Sequence, residues 1–165
     1  MQTRKLTLSA LFIATGTVTG HLIYIPAGVA KCFPIQHTIN ILSAVILGPW
    51  YAVANAFIIS LLRNLLGTGS PLAFPGSMIG AFLAGILYVK FSKKLYAVAG
   101  EIFGTGILGG LTAFPVANLL LGKEVAAFFF VVPFLISTVG GSIIGYTLLK
   151  IIEKNKALGR LGIGG

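Results

Sequence analysis

Polar side chains able to bind a small molecule stand at the ends of apolar runs in this sequence. One group follows the first apolar run, a second ends the third run, and phenylalanines accompany polar residues farther along. The candidate ligand-binding residues are Lys31, Phe33, Gln36, His37, Arg63, Asn64, Phe74, Ser77, Phe114 and Asn118. Histidine, arginine and amide side chains make directed hydrogen bonds, and phenylalanine rings stack on other rings. This set favours a small aromatic ligand with a few polar atoms.

Several of these residues also have a purely structural interpretation. His37 can cap a helix or lie at the membrane interface, and the Arg63 side chain can extend to the lipid headgroups. Lys31 can be a solvated loop charge, and the neighbouring Cys32 a small buried apolar residue. Asn118 can hydrogen-bond between helices. The functional interpretation gains weight only because these groups gather at one end of the predicted bundle.

The composition is that of a membrane protein. Apolar residues make up 56% of the 165 residues and charged residues 9%, whereas soluble domains carry about a quarter charged residues. The net charge is +9, but the basic residues stand at the ends of apolar runs and not along a face with interleaved aromatics. That placement indicates membrane topology and argues against nucleic-acid binding.

Glycine and proline divide the chain into six apolar runs. The runs cover residues 6–25, 37–47, 50–66, 76–91, 95–121 and 125–152. A span needs about 20 apolar residues, so the second run is short, and Pro115 is expected to kink the fifth. We predict an all-α membrane protein of six transmembrane helices. One domain covers residues 1–152, and a polar cytoplasmic tail covers 153–165, whose last residues could come from an expression vector.

Six spans place both termini on one side of the membrane. Nine basic residues fall on the terminal side and three on the other. The first set is Arg4, Lys5, Lys90, Lys93, Lys94, Lys150, Lys154, Lys156 and Arg160, and the second is Lys31, Arg63 and Lys123. Cytoplasmic segments carry the excess of lysine and arginine. Both termini are therefore expected in the cytoplasm, and the candidate ligand-binding residues at the outer end.

Other residues leave the mechanism open. Glu101 is the only acid inside a predicted span. We prefer the interpretation that its side chain pairs with Lys93 or Lys94 or extends to the membrane surface, and proton coupling is the alternative. Small residues recur four positions apart, as at Ala10 and Ala14, and most such faces should simply pack the bundle. No P-loop, HExxH or GxSxG motif occurs. The chain is therefore not expected to be an enzyme or to hydrolyse ATP, and no cofactor or metal is expected.

Three segments resemble the ThiW family, the substrate-binding S components of energy-coupling factor (ECF) vitamin transporters. These segments are KCFPIQH at 31–37, SLLRNLLGTG at 60–69 and AFPGSM at 73–78. The resemblance covers residues 6–152, and Ala10 and Ala14 match the AxxxA motif of S components. It implies a six-helix S-component bundle in a prokaryotic cell membrane. It also implies a docking face at Ala10 and Ala14 for the transmembrane subunit EcfT, and two ATP-binding subunits that supply energy.

The same resemblance implies the ligand, hydroxyethylthiazole, a precursor of thiamine, bound near the outer surface under the first loop. The pyrimidine precursor and thiamine itself remain open as ligands. Two other classes of function also remain open at this point. One is a membrane scaffold without a ligand, and the other is a solitary proton-coupled carrier that uses Glu101.

Overall fold

Six helices make up most of the described part of the chain. The computed structural model describes residues 2–20, 22–27, 30–122 and 124–154. The helices are α1 (Gln2–Thr19), α2 (Pro34–Ile46), α3 (Pro49–Leu65), α4 (Ala73–Phe91), α5 (Lys94–Leu120) and α6 (Val131–Lys154). Two short antiparallel strands, β1 (Ile25–Ala27) and β2 (Ala30–Cys32), lie between α1 and α2. The predicted all-α architecture with six helices is thus confirmed for these residues.

Three of the helices are long and apolar enough to cross a bilayer, namely α4, α5 and α6. The 13 residues of α2 and the 17 of α3 are shorter. A helix of 13 residues is about 20 Å long, whereas the hydrocarbon core of a bilayer is about 30 Å thick. The prediction of six helices is therefore confirmed in their number, while the requirements for a span are met by three of them.

Glycine and proline divide the helices where the sequence predicts. Gly48 has a φ of +94° between α2 and α3, a left-handed conformation that favours glycine. Pro49 then starts α3, where the missing N–H is not needed. Pro34 opens α2 in the same way, although the predicted second run begins only at residue 37. The short connection at Gly48 reverses the chain and makes α2 and α3 antiparallel neighbours.

Two predicted boundaries are wrong. The first helix ends at Thr19 and not at residue 25, because the residues before Pro26 continue into β1, and a proline disfavours helical backbone in the residue before it. The last helix begins at Val131 and not at residue 125. Pro133 lies in its first turn, which is the part of a helix that tolerates proline. At the other end, α6 extends to Lys154, and residues 155–165 of the predicted tail lie outside the described residues.

Helix α5 is continuous but not uniformly α-helical. Residues Ile102–Gly109 and Val116–Leu120 are π-helical, a conformation found mostly in short stretches and often near functional sites. Pro115, the predicted kink position, lies directly before the second stretch. These two stretches change which residues of α5 share a face.

Helix α2 forms the centre of the bundle. Every residue from Gln36 to Val45 is buried, and the helix packs against α3, α4 and α6. The glycines of neighbouring helices allow close approach: a Cβ on Gly104 of α5 would lie 2.6 Å from the Cα of Gly80 in α4. Because α2 is short, its first turn starts inside the bundle. The hairpin and the connections to α4 and α6 lie at that end.

The small residues of α1 divide between two faces. Gly16 packs against Ile59, and Gly20 lies beside Arg63, so this pair faces the bundle. Ala10 and Ala14 are exposed. The sequence alone could not assign these faces, and the structure leaves the Ala10 and Ala14 face available to a partner.

Candidate functional site

A cavity of about 370 Å³ lies at the first turn of α2. Its wall comes from the hairpin, the connection between α3 and α4, and the start of α6, with one residue of α5 as part of the wall. The lining residues are Cys32, Phe33, Gln36, His37, Arg63, Gly67, Thr68, Gly69, Ser70, Leu72, Ala73, Ser77, Thr105, Phe130, Pro133, Phe134 and Ser137. Three phenylalanines in the wall give a ring-binding surface, and the other side chains add a few polar groups. The volume falls in the lower part of the usual range for small-molecule pockets, roughly 300–1,000 Å³.

Arg63 is the cation in the cavity wall. Its residue is 4% exposed, so the interpretation that its side chain extends to the lipid headgroups is wrong. One terminal nitrogen donates to Gln36 Oε1 at 2.6 Å, and the other donates to the Thr68 carbonyl at 3.1 Å. The guanidinium carbon lies 4.9 Å from the centre of the Phe33 ring. Among the described residues no carboxylate lies within ion-pair distance of Arg63, and its Nε has no partner.

A line of hydrogen bonds runs from Arg63 into the bundle. The Gln36 amide nitrogen donates to Ser60 Oγ at 2.8 Å, and the Ser60 and Ser77 hydroxyls lie 3.1 Å apart. These contacts fix the Gln36 amide with its oxygen toward Arg63. The cation is therefore held in one position in the wall before any ligand binds.

Glu101 is the buried carboxyl group beside the cavity. Its residue is 0% exposed, and its Oε1 lies 3.0 Å from His37 Nδ1, 3.0 Å from Asn40 Nδ2 and 2.9 Å from Thr105 Oγ1. The expectation that it pairs with Lys93 or Lys94 is wrong, since Lys94 pairs with Glu153. Glu101 lies on the same face of α5 as other buried residues, and that face packs into the bundle.

The comparisons with known proteins give one match. A protein-family model described as thiamine-precursor transporter protein (ThiW) matches residues 6–155. The chain belongs to the ThiW family. No curated protein and no solved structure gives a significant match. ThiW is a transporter family and not an enzyme family, so this chain is a membrane transporter protein for a thiamine precursor.

Five of the predicted site residues of this ThiW chain line the cavity. They are Phe33, Gln36, His37, Arg63 and Ser77. Each of the four polar members is buried, in agreement with the argument that a polar residue in a membrane needs a partner.

The structure does not bring the other predicted residues into the cavity wall. The Asn64 side chain donates to the Ser60 carbonyl at 2.7 Å, and the Phe74 ring packs on Phe57. Asn118 accepts a hydrogen bond from the Val125 backbone. Phe114 is likewise absent from the lining residues. Lys31 pairs through its backbone in the hairpin, and its side chain lies outside the described residues.

Other lining residues of the ThiW cavity were missing from the predicted set. Phe130, Phe134 and Ser137 recur at a spacing of three to four residues around the start of α6, and Thr105 follows Glu101 by one turn, so helical spacing was the available signal. Cys32 donates its thiol to the Pro133 carbonyl at 3.1 Å. Burial raises the pKa of the Cys32 thiol, so it stays protonated and is a poor nucleophile.

Proposed function

We propose that the chain is the high-affinity substrate-binding subunit of an ECF-type ABC importer for hydroxyethylthiazole. The observation that carries this proposal is the cavity that combines Phe33, Phe130 and Phe134 with the polar groups of Arg63 and His37. A thiazole offers a flat ring for stacking, a ring nitrogen that accepts a hydrogen bond, and a hydroxyl. Aromatic contact contributes roughly 0.5–1.5 kcal/mol beyond area burial, so the ring supplies affinity and the polar groups orient it.

The charge of Arg63 supports the precursor over thiamine itself. The ring nitrogen of thiamine is alkylated, so it carries a positive charge and cannot accept a hydrogen bond. A guanidinium without a carboxylate partner in the cavity wall repels such a cation. The neutral thiazole nitrogen can accept from the same guanidinium, and a hydrogen bond to a charged group contributes about 1.5–3 kcal/mol.

The distribution of basic residues supports the direction of transport. Helix ends opposite the cavity carry most of the lysines and arginines, including Lys5, Lys90 and Lys150. We place that side in the cytoplasm of a prokaryotic cell, with both termini. The cavity then opens toward the outside, as a binding subunit of an importer requires.

The exposed alanine face of α1 supports a partner in the membrane. Ala10 and Ala14 are exposed, and small residues let another helix approach closely in lipid. We propose that EcfT docks there and that two ATP-binding subunits drive reorientation of the complex.

Isothermal titration tests the ligand. The purified chain in detergent should bind hydroxyethylthiazole without ATP, and should bind the pyrimidine precursor and thiamine at least tenfold more weakly. For thiamine the physical reason is the repulsion between its cationic thiazolium ring and Arg63, and the preference over the pyrimidine rests on the resemblance to ThiW alone. Tighter binding of the pyrimidine or of thiamine would show that this compound, and not the thiazole, is the ligand. No binding of any of the three would reject the binding-subunit proposal.

Substitution of the alanine face tests the partner. The double variant Ala10→Leu, Ala14→Leu should keep hydroxyethylthiazole binding but lose most ATP-driven uptake in liposomes that contain the whole complex, because leucines hold a facing helix away. Ala54→Leu, a change at an exposed alanine of α3, is the matched control and should transport normally. Uptake by the chain alone under a proton gradient would instead favour the proton-coupled carrier, for which the buried Glu101 beside the cavity is the specific observation.

A further inference from the structure

The buried cluster around Glu101 fixes the direction of its own hydrogen bonds. The Ser77 carbonyl only accepts, and it lies 3.2 Å from Asn40 Nδ2, which orients the Asn40 amide with its nitrogen toward Ser77. The same nitrogen lies 3.0 Å from Glu101 Oε1. An amide nitrogen only donates, so Glu101 Oε1 is an acceptor in this contact.

That direction determines where the His37 proton lies. His37 Nδ1 is 3.0 Å from the same oxygen, Glu101 Oε1. An ionised carboxylate only accepts, so with Glu101 as a carboxylate the hydrogen in the contact with His37 belongs to Nδ1. The other carboxyl oxygen, Oε2, has no hydrogen-bond partner, so it does not affect this assignment. The hydrogen bond at one ring nitrogen sets the tautomer of a histidine.

The second ring nitrogen of His37 is left for a ligand. The His37 side chain is 11% exposed, and it lines the cavity together with Thr105 and Ser77. Among the described residues no hydrogen bond to His37 Nε2 is formed. When the imidazole carries a single proton, that proton is on Nδ1, so Nε2 presents a lone pair and can only accept.

We propose that Glu101 is a positioning residue that holds His37 in the Nδ1–H tautomer and makes Nε2 the acceptor for a hydroxyl donor on the ligand. This inference rests on the proposed function, since it assigns the hydroxyl of hydroxyethylthiazole to His37 and leaves the ring nitrogen to Arg63. The site should then bind an alcohol more tightly than the corresponding methyl ether, which has no hydroxyl hydrogen to donate. A buried acceptor without its donor costs enough to weaken binding roughly ten- to a hundredfold.

The protein with its native Glu101 and His37 gives the first test. The chain has two histidines, so ¹⁵N-histidine labelling with a His21→Gln version gives the spectrum of His37 alone. We expect a protonated Nδ1 and an unprotonated Nε2, with the Nε2 signal shifted by hydroxyethylthiazole and less so by its methoxyethyl analogue, which cannot donate. A protonated Nε2 in the complex would overturn the inference.

Titration of the alcohol and the ether separates the two proposals. The wild-type protein should bind the alcohol roughly ten- to a hundredfold more tightly than the ether. The Glu101→Leu variant should lose most of that preference. The Glu101→Gln variant should keep it, because an amide oxygen can still accept at the Oε1 position. A preference unchanged in a folded Glu101→Leu would reject the role of Glu101 but leave the thiazole transporter intact. Failure of wild type to bind either compound would reject the proposed function instead. The NMR measurement needs no Glu101 variant, so it still tests the His37 tautomer and the Nε2 acceptor if Glu101→Leu does not fold.

Discussion

Replacing Arg63 with methionine should weaken hydroxyethylthiazole binding about 100-fold. Methionine keeps much of the apolar length of the side chain, but it removes the donor that the thiazole nitrogen needs. It also removes the bond to Gln36 Oε1 at 2.6 Å, so the amide loses the contact that orients it. Isothermal titration of the purified variant measures the change.

One control variant and one further measurement make the Arg63 result specific. Arg4→Met removes an exposed arginine of α1 and should leave the affinity unchanged. Arg63→Met should also lose part of the discrimination against thiamine, because the positive charge that repels the thiazolium is gone. An affinity within threefold of wild type would show that Arg63 is a structural residue of the wall.

The charges of the cavity explain why a neutral, dipolar ligand suits it. The Arg63 guanidinium and the Glu101 carboxyl group are linked by two series of hydrogen bonds that meet at Ser77. One runs from Arg63 through Gln36 and Ser60 to the Ser77 hydroxyl, and the other runs from the Ser77 carbonyl through Asn40 to Glu101. With Glu101 as a carboxylate and a neutral imidazole on His37, these groups together carry no net charge. A phosphorylated or cationic ligand would add an uncompensated charge to a buried site, which is expensive. A thiazole alcohol adds none and offers an acceptor and a donor.

The sequence predicts much of the fold because lipid imposes simple rules. Helix breaks at Gly48 and Pro49 follow from local backbone chemistry, and they are where expected. The end of α1 and the start of α6 could not be placed, because apolar residues near the membrane surface look alike in a helix, a strand or a turn. Pro26 and Pro133 were the local signals for those two boundaries.

The site is only partly predictable for a related reason. His37 and Arg63 stand out because buried polar residues need partners. Phe114 and Asn118 were assigned by their depth along α5, but depth does not give the face, and the π-helical stretches shift the faces of that helix. Whether Phe134 reaches the cavity depends on where α6 begins, and the sequence did not determine that boundary.

Glu101 shows how a partner from another helix escapes sequence analysis. Its charged neighbours in the sequence, Lys93 and Lys94, suggested a surface pair, whereas its partners His37 and Asn40 come from α2. Nothing in the spacing of α2 and α5 residues determines that contact. Only the packing of the bundle places the carboxyl against the cavity, and Gly100 contributes by letting α5 approach Leu83 and Ala84 of α4 closely.

Replacing Glu101 with leucine should lower the thermal unfolding midpoint in detergent by roughly 10 °C. Leucine has a similar volume, but it leaves donors of His37 and Asn40 without their acceptor in a buried position, whereas the Thr105 hydroxyl can still donate to the Gly76 carbonyl. Each unsatisfied buried donor costs about 1–3 kcal/mol. The substitution also removes the cost of burying a carboxyl group, which offsets part of that sum. The net loss in the free energy of unfolding is therefore several kcal/mol.

Two further variants show whether the loss comes from the acceptor. Glu101→Gln keeps an acceptor oxygen and should recover most of the midpoint. Glu153→Leu removes a glutamate whose side chain is 67% exposed and pairs with Lys94 at the surface, and exposed ion pairs contribute little, so its midpoint should stay close to wild type. An equal drop in Glu101→Leu and Glu101→Gln would assign the stability to the charge of the carboxylate. In that case the cluster would be held by an ionic pair between Glu101 and a protonated His37, and Nε2 would face the cavity as a donor.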